Sequence, residues 1–321
     1  MRILSGLQPT GRLHLGNYFG MMQPALQLQH EGEALYFIAD YHSLTSIQDA
    51  TALRTNVRDL AIDFLACGLD PTKAVFFRQS DMPEHTELAW ILSCVTPMPM
   101  LENCHSYKDK VANGIPANHG LFAYPVLMAA DILIYDSDRV PVGKDQKQHL
   151  EVTRDIATKM NLVFGEGTLK VPEPLIREET ATVIGNDGRK MSKSYNNTLA
   201  LFEDEKALRK KVMRIITDTT PVADPKPTAD SSILKLYRLV ASDSEYQAMV
   251  EDFERGGRGY GDYKQQLFEK IWEFFAEARE KRAGIVAEKG YVEDVLRDGA
   301  ARARVLARQT LDRVREAVGL G

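Results

Sequence analysis

Three short, continuous apolar runs stand out early in the chain: "RILS" (residues 2–5), "ALYFIAD" (34–40) and "AVFFRQS" (74–80), the last bounded by "GLDPTK" and "DMPEH". Runs of this length, closed off by glycine, proline or acidic residues, predict buried strands. Between the second and third, Leu53, Val57, Leu60, Ala61, Phe64 and Leu65 recur at the spacing of one helix face. Buried strands alternating with amphipathic helices predict an α/β fold, a parallel sheet covered on both faces. Such sheets bind ligands outside the carboxyl ends of their strands, so the first half is a candidate nucleotide-binding domain.

The pattern changes after Ser194 to helical, charged segments, among them "DEKALRKKVMRI", "SSILKLYRLVA" and "QQLFEKIWEFFAEARE". Pro221, Pro225, Pro227 and the glycines of "RGGRGYG" mark the connections, which predicts a smaller all-helical domain. The tail "YVEDVLRDGAARARVLARQTLDRVREAVGL" reads as one long amphipathic helix whose arginines are expected on a solvated face.

Composition narrows the classes. With 321 residues, 44% hydrophobic and 26% charged, the chain has material for one large or two unequal cores, and global disorder is excluded. The net charge of −5 does not suggest a nucleic-acid binder, although a local basic patch can do that work whatever the overall sign. The opening "MRILSGLQPTG" has too short an apolar run for a secretory signal, and no stretch reaches the roughly 20 apolar residues that span a bilayer. Cys67, Cys94 and Cys104 are odd in number and lack C-x-x-C spacing, which argues against a disulfide framework or a cysteine-rich zinc site. A cytoplasmic protein with no membrane partner is expected.

Two stretches carry candidate chemistry. After the first strand, "SGLQPTGRLHLGNYFG" offers Gly6, Gly11 and Gly16 for close backbone approach, and a helix expected to begin near Gly16 would aim free N–H groups at an anion. His14 and Asn17 stand where their side chains reach the same place. The spacing is neither G-x-G-x-x-G nor G-x-x-x-x-G-K-[ST], so taken alone the segment reads equally as a glycine-rich turn with a helix cap. Pro24 should kink the helix or restart it after Gln23. The second stretch, "GRKMSKSYNN" (188–197), sets Lys190 and Lys193 about Met191 and Ser192, and in isolation it reads as a solvated polar loop.

"HLGN" (14–17) and "KMSKS" (190–194), in that order around a strand-helix pattern, resemble the paired signatures of class I aminoacyl-tRNA synthetases. "LFAYPVLMAADILIYDSDRVPVGKDQKQHLEVTRD" (121–155) resembles the amino-acid pocket of the tryptophanyl members, and the resemblance extends over essentially the whole chain. It implies a Rossmann-like catalytic domain over residues 1–184, completed by a helix at 291–321. The lysine loop and a helical anticodon-binding domain would occupy 185–290. It implies activation of L-tryptophan with ATP, accompanied by Mg2+ held mainly by the phosphates, then transfer to the terminal adenosine of tRNA(Trp), in a homodimer.

By the same resemblance His14, Asn17, Lys190 and Lys193 are catalytic. Gln8, Pro9, Thr10, Gly16 and Asn17 would meet ATP from one side, and Lys190, Met191, Ser192, Lys193 and Ser194 from a mobile loop on the other. Gly143, Lys144 and Asp145 would lie along the ribose, Val183 against the adenine, and Lys110 is either a further phosphate contact or a surface lysine. Lys144 stands where the family usually has an acid, which makes that contact a backbone one.

Asp131 lies inside an otherwise apolar run, where an unpaired carboxylate is expensive. The resemblance makes it the acceptor for the indole N–H, a donor-only group. Met128, Val140 and Val142 would pack on the ring, Leu4, Gly6 and His42 would close the pocket, and Tyr124 and Gln146 would hold the ammonium. His42 reads equally as a satisfied polar residue beyond a strand, and His149 as structural. Two other functions stay open: a tyrosine-specific enzyme of the same class, and a non-catalytic RNA-binding or regulatory relative. The first needs a pocket that both donates to and accepts from a phenol, which "YPVLMAADIL" does not offer. The second has no use for a phosphate clamp.

Overall fold

The computed structural model describes residues 1–104, 107–108, 118–142, 147–176 and 182–321. Strands β1 (Arg2–Leu7), β2 (Glu33–Ile38), β3 (Val75–Arg78), β4 (Arg139–Val142) and β5 (Glu173–Ile176) form one parallel sheet in the order β3-β2-β1-β4-β5. The first three coincide with the apolar runs. The last two are four residues each and contain Pro141 and Pro174, a residue depleted in strands, which hides them from pattern reading.

Alternation along the strands sends side chains to two layers. Leu4, Leu35, Phe37, Val75 and Phe77 pack with the helices Pro83–Ser93, His119–Leu133 and Lys147–Phe164. Ala34, Tyr36, Ile38 and Phe76 pack with the helix Ala50–Ala66 on the opposite face. That helix forms as its periodicity predicts: Asp49 accepts from the N–H groups of Thr51 and Ala52, and Val57, Leu60, Ala61, Phe64 and Leu65 are buried. Near Pro24 the backbone takes a wide turn over Tyr18–Met22 and resumes as an α-helix at Gln23. The wide turn accommodates a residue that has no N–H and a bulky ring.

The apolar cluster on the Phe76 face continues into the helices Glu205–Met213, Ser232–Val240, Asp243–Arg255 and Tyr260–Phe274. "QQLFEKIWEFFAEARE", which reads as a single helical segment, is two: the second helix, Ala276–Ala287, begins after a break at Phe275. Phe275 is buried edge-on against Tyr18, ring centroids 4.9 Å apart, so tertiary packing overrides local helix propensity there.

The tail is one helix, Tyr291–Val318, lying along β3. Arg297, Arg308 and Arg315 are exposed as expected, but three other arginines correct the expectation of a solvated face. Arg302 donates to the carbonyls of Pro71 (2.8 Å) and Ala74 (3.3 Å), and Arg304 reaches the Asp81 carbonyl and Glu84. Arg313 spans the Thr168 carbonyl (3.0 Å) and Asp136 (2.6 Å). Loop carbonyls at the sheet's rim need donors, and the planar guanidinium supplies several at once.

The approach is close because Ala300, Ala303 and Ala307 are small and Gly299 has no side chain; a Cβ there would stand 1.8 Å from the Phe76 carbonyl oxygen. Gly299→Ala should therefore lower stability by about 1–3 kcal/mol through overpacking, read as a fall in the urea midpoint. An unchanged midpoint would show that the helix can shift to make room.

Candidate active site

The chain turns outward at the carboxyl ends of β1, β2 and β3, next to the β1/β4 junction where the strand order reverses. Gln8, Pro9 and Thr10 follow β1 as an irregular segment, and residues 13–15 then pair with residues 199–201 from the far side of the lysine loop. Leu15 N–H donates to the Leu199 carbonyl at 2.9 Å and Leu201 N–H to the Leu13 carbonyl at 3.0 Å. The two motifs, far apart in sequence, are thereby stitched together.

His14 caps the short helical turn Leu15–Asn17: its Nδ1 accepts from Asn17 N–H, and Asn17 Oδ1 accepts from His14 N–H, both at 3.2 Å. Burial, with the nearby Lys193 charge, holds the imidazole down at about 4. Protonating Nδ1 would turn this acceptor into a donor and forfeit the cap. The unfolded histidine takes its proton near its ordinary value of 6.5 while the folded one resists to about 4. The contribution to stability is thus complete above pH ~6.5 and lost as pH falls towards ~4. Wild type should lose urea resistance between pH 7 and 5 more steeply than His14→Asn; parallel losses would show that His14 does not titrate there.

In the lysine loop, Met191 N–H donates to the Val183 carbonyl (2.8 Å), and both side chains are buried. Met191 Sδ meets Gly16 N–H at 3.4 Å, and a Cβ on Gly16 would collide with His14 at 2.9 Å. Only glycine lets the loop methionine, the helix start and the histidine share this space. Lys193 Nζ donates to the Thr10 carbonyl at 2.7 Å, so the second lysine already spans the cleft to the first motif. Lys190 is exposed, as is Ser194, whose N–H donates to Ser192 Oγ at 3.3 Å.

Asn197 organises the loop from beneath. It is buried, accepts from Ser192 N–H (2.8 Å) and donates to Asp187 (2.7 Å) and to the Lys190 carbonyl (3.1 Å). The sequence offered the residue but no reason to choose it.

On the other side of the sheet's rim, Asp131 is fully buried in the His119–Leu133 helix and accepts three hydrogen bonds. Oδ1 takes Gln79 Nε2 at 2.7 Å and His85 Nδ1 at 2.6 Å; Oδ2 takes His42 Nε2 at 2.7 Å. Burial would raise this carboxyl, but the charge of His42 and the hydrogen bonds from His42 and His85 outweigh it and hold it at about 2. A carboxylate has about four lone-pair directions, so one on Oδ2 remains for a further donor.

Of the other residues expected in this pocket, Leu4 and Val140 are buried, Met128 is half-buried, and Gly6 is the exposed position of the otherwise buried end of β1. Tyr124 hydrogen-bonds His149, which is buried. Asp40 clasps the turn bearing His42 to the turn bearing Gln79, accepting Ser80 N–H at 3.0 Å and Ser80 Oγ at 2.5 Å.

Val142 ends β4. Lys110, Gly143, Lys144, Asp145 and Gln146 lie outside the described residues. Sequence reasoning passed over Gln79, His85 and Tyr135. His85 shares the buried face of the Pro83–Ser93 helix with Leu88 and Leu92, three and seven residues on, and a histidine on an apolar stripe was the available signal.

The family profile of tRNA synthetases class I (W and Y) matches residues 1–276, and the chain belongs to that family. Among full-length relatives, the tryptophan–tRNA ligase of Fusobacterium nucleatum is 53% identical over 99% of this chain and 98% of its own. That of Rhodopirellula baltica is 51% identical with both chains covered in full. A solved tryptophanyl-tRNA synthetase from Campylobacter jejuni, complexed with ADP and tryptophan, is 47% identical and superposes over both whole chains with a TM-score of 0.96.

Proposed function

We infer that the protein is a tryptophan–tRNA ligase. A tryptophan carboxylate oxygen attacks the α-phosphorus of ATP, the bond to the bridging oxygen breaks, and pyrophosphate leaves. The 3′-terminal adenosine of tRNA(Trp) then attacks the carbonyl carbon of the adenylate through a ribose hydroxyl and AMP departs. Negative charge grows on the phosphates during the first step and must be met by fixed donors. Lys190 and Lys193 supply charge, the backbone of Met191 and the hydroxyls of Ser192 and Ser194 complete that side, and Gln8, Pro9, Thr10, Gly16, His14 and Asn17 face them. Gly143, Lys144 and Asp145 take the ribose and Val183 the adenine.

In the pocket beyond, Asp131 accepts the indole N–H while Met128, Val140 and Val142 pack the ring. Leu4, Gly6 and His42 enclose it, and Tyr124 and Gln146 take the ammonium. Magnesium arrives as part of the MgATP substrate; among the described residues no cluster of three or more histidine, cysteine or acidic side chains stands ready to hold it.

The observation that carries this reading is the convergence of Lys193 on Thr10 and Met191 on Gly16, within one rim of the sheet that also bears a fully buried carboxylate. Residues 1–184 with 291–321 form the activating unit, and 185–290 carry the lysine loop and the helices that read the anticodon. The enzyme works in the cytoplasm; among the described residues no helix is long and apolar enough to cross a membrane.

A homodimer completes the proposal, and Trp90, 73% exposed on the Pro83–Ser93 helix, is where a second copy would first be sought. Sedimentation should show a dimer that Trp90→Glu weakens, and a monomeric wild type would remove this part. ATP–pyrophosphate exchange with tryptophan and with tyrosine tests the main reading. Exchange with tryptophan alone is expected; exchange with tyrosine, or with neither, overturns it.

A further inference from the structure

Asp131 does not stand alone in its helix. His85, Gln79 and Tyr135 are, like it, fully buried, and they form a continuous chain of short hydrogen bonds behind it. His85 Nδ1 lies 2.6 Å from Asp131 Oδ1, and His85 Nε2 lies 2.6 Å from the Tyr135 hydroxyl. A carboxylate only accepts, so Nδ1 carries the proton and donates; Nε2 then accepts, and the tyrosine O–H donates to it. Each member fixes the next, and the imidazole has one tautomer.

The rings are locked as well. His85 meets Tyr135 edge-on at 5.3 Å between centroids and packs edge-on against both Phe37 and Phe77 at 6.0 and 6.2 Å. Gln79 is held by the same oxygen: its Nε2 donates to Oδ1, while its own Oε1 finds no partner among the described residues. A buried acceptor left without a donor is unfavourable. The amide is therefore oriented by the carboxylate and not by its own best bonding.

We infer that His85, held in one tautomer by Tyr135, and Gln79 are positioning residues for substrate recognition: together they saturate Asp131 Oδ1 and leave Oδ2 alone to face the substrate's N–H. This rests on the reading of Asp131 as the indole acceptor. Without the two donors the carboxylate is free to turn about its last bond, and its burial favours the protonated form, which is a poorer acceptor. Both residues act through Asp131, so the effect falls on discrimination and KM for tryptophan, with kcat at saturation little changed.

The test compares kcat/KM for tryptophan with that for an analogue carrying sulfur in place of the indole N–H, by pyrophosphate exchange, in wild type, His85→Leu, His85→Asn and Gln79→Met. In His85→Leu and in Gln79→Met the preference for tryptophan should fall by about five- to tenfold, the net worth of roughly one hydrogen bond. His85→Asn, whose amide N–H can replace Nδ1–H, should recover most of it, which a merely structural role would not predict. If wild type shows no preference, the indole reading of Asp131 is wrong. If wild type prefers tryptophan and both His85→Leu and Gln79→Met keep the full preference, the indole reading stands and the positioning role is wrong. Should His85→Leu fail to fold, Gln79→Met decides by the same comparison.

Discussion

Lys193→Ala is expected to lower the rate of adenylate formation by roughly 10²–10³, as for the loss of one charged donor to a developing anion, with tryptophan affinity little changed. The lysine Nζ lies 2.7 Å from the Thr10 carbonyl, so the ammonium already spans the cleft between the two motifs. ATP phosphates entering that cleft take over from the carbonyl as a better acceptor, since hydrogen bonds between two ions are stronger than those to a neutral oxygen. The loop itself should keep its shape in the mutant, because Asn197 and the pairing of residues 13–15 with 199–201 hold it and none of those bonds uses Lys193. Presteady-state activation in the mutant at the wild-type rate would take this lysine out of the chemistry.

Asp131→Ala should weaken tryptophan activation by about ten- to a hundredfold, the cost of leaving the indole N–H unpaired in a site without water. An analogue with carbon or sulfur at that position has no donor to satisfy and should lose most of its disadvantage in the mutant. The same change strips the acceptor from His42, Gln79 and His85, so the thermal midpoint should fall as well. The ratio of kcat/KM values for the two substrates separates recognition from general damage, since a folding loss depresses both alike. If that ratio matches wild type, Asp131 serves only to satisfy its neighbours.

The sequence displays those elements whose signal is local. The Ala50–Ala66 helix was legible because its apolar face repeats over several turns, and β1 to β3 because they are continuous apolar runs. The short strands β4 and β5 were not, since four residues with a proline carry almost no pattern. The helix break at Phe275 comes from the packing of its ring on Tyr18, a partner far away in sequence.

The candidate site divides in the same way. Asp131 was conspicuous as an acid within an apolar run. Gln79 sits among polar neighbours in "RQSDMPEH", so only the tertiary arrangement shows that it is buried, whereas His85 had one faint signal, its place on a stripe with Leu88 and Leu92. Arg302, Arg304 and Arg313 in the tail were misjudged because sequence shows the charge on a helix and not the loop carbonyls that wait for it.

The Tyr291–Val318 helix braces β3 just before the turn that carries Gln79, and its Arg304 grips Asp81 and Glu84 on either side of the entrance to His85's helix. During synthesis this brace leaves the ribosome after everything it supports. A chain cut short by a stop codon between residues 256 and 290 still spells out "HLGN", "KMSKS" and the whole pocket segment. It would nonetheless present a naked Phe76 strand and an unsupported Gln79 turn, a species for chaperones and proteases and not a catalyst. Motif inventories of interrupted genes would count such a remnant as an enzyme, although it lacks the helix that braces the Gln79 turn.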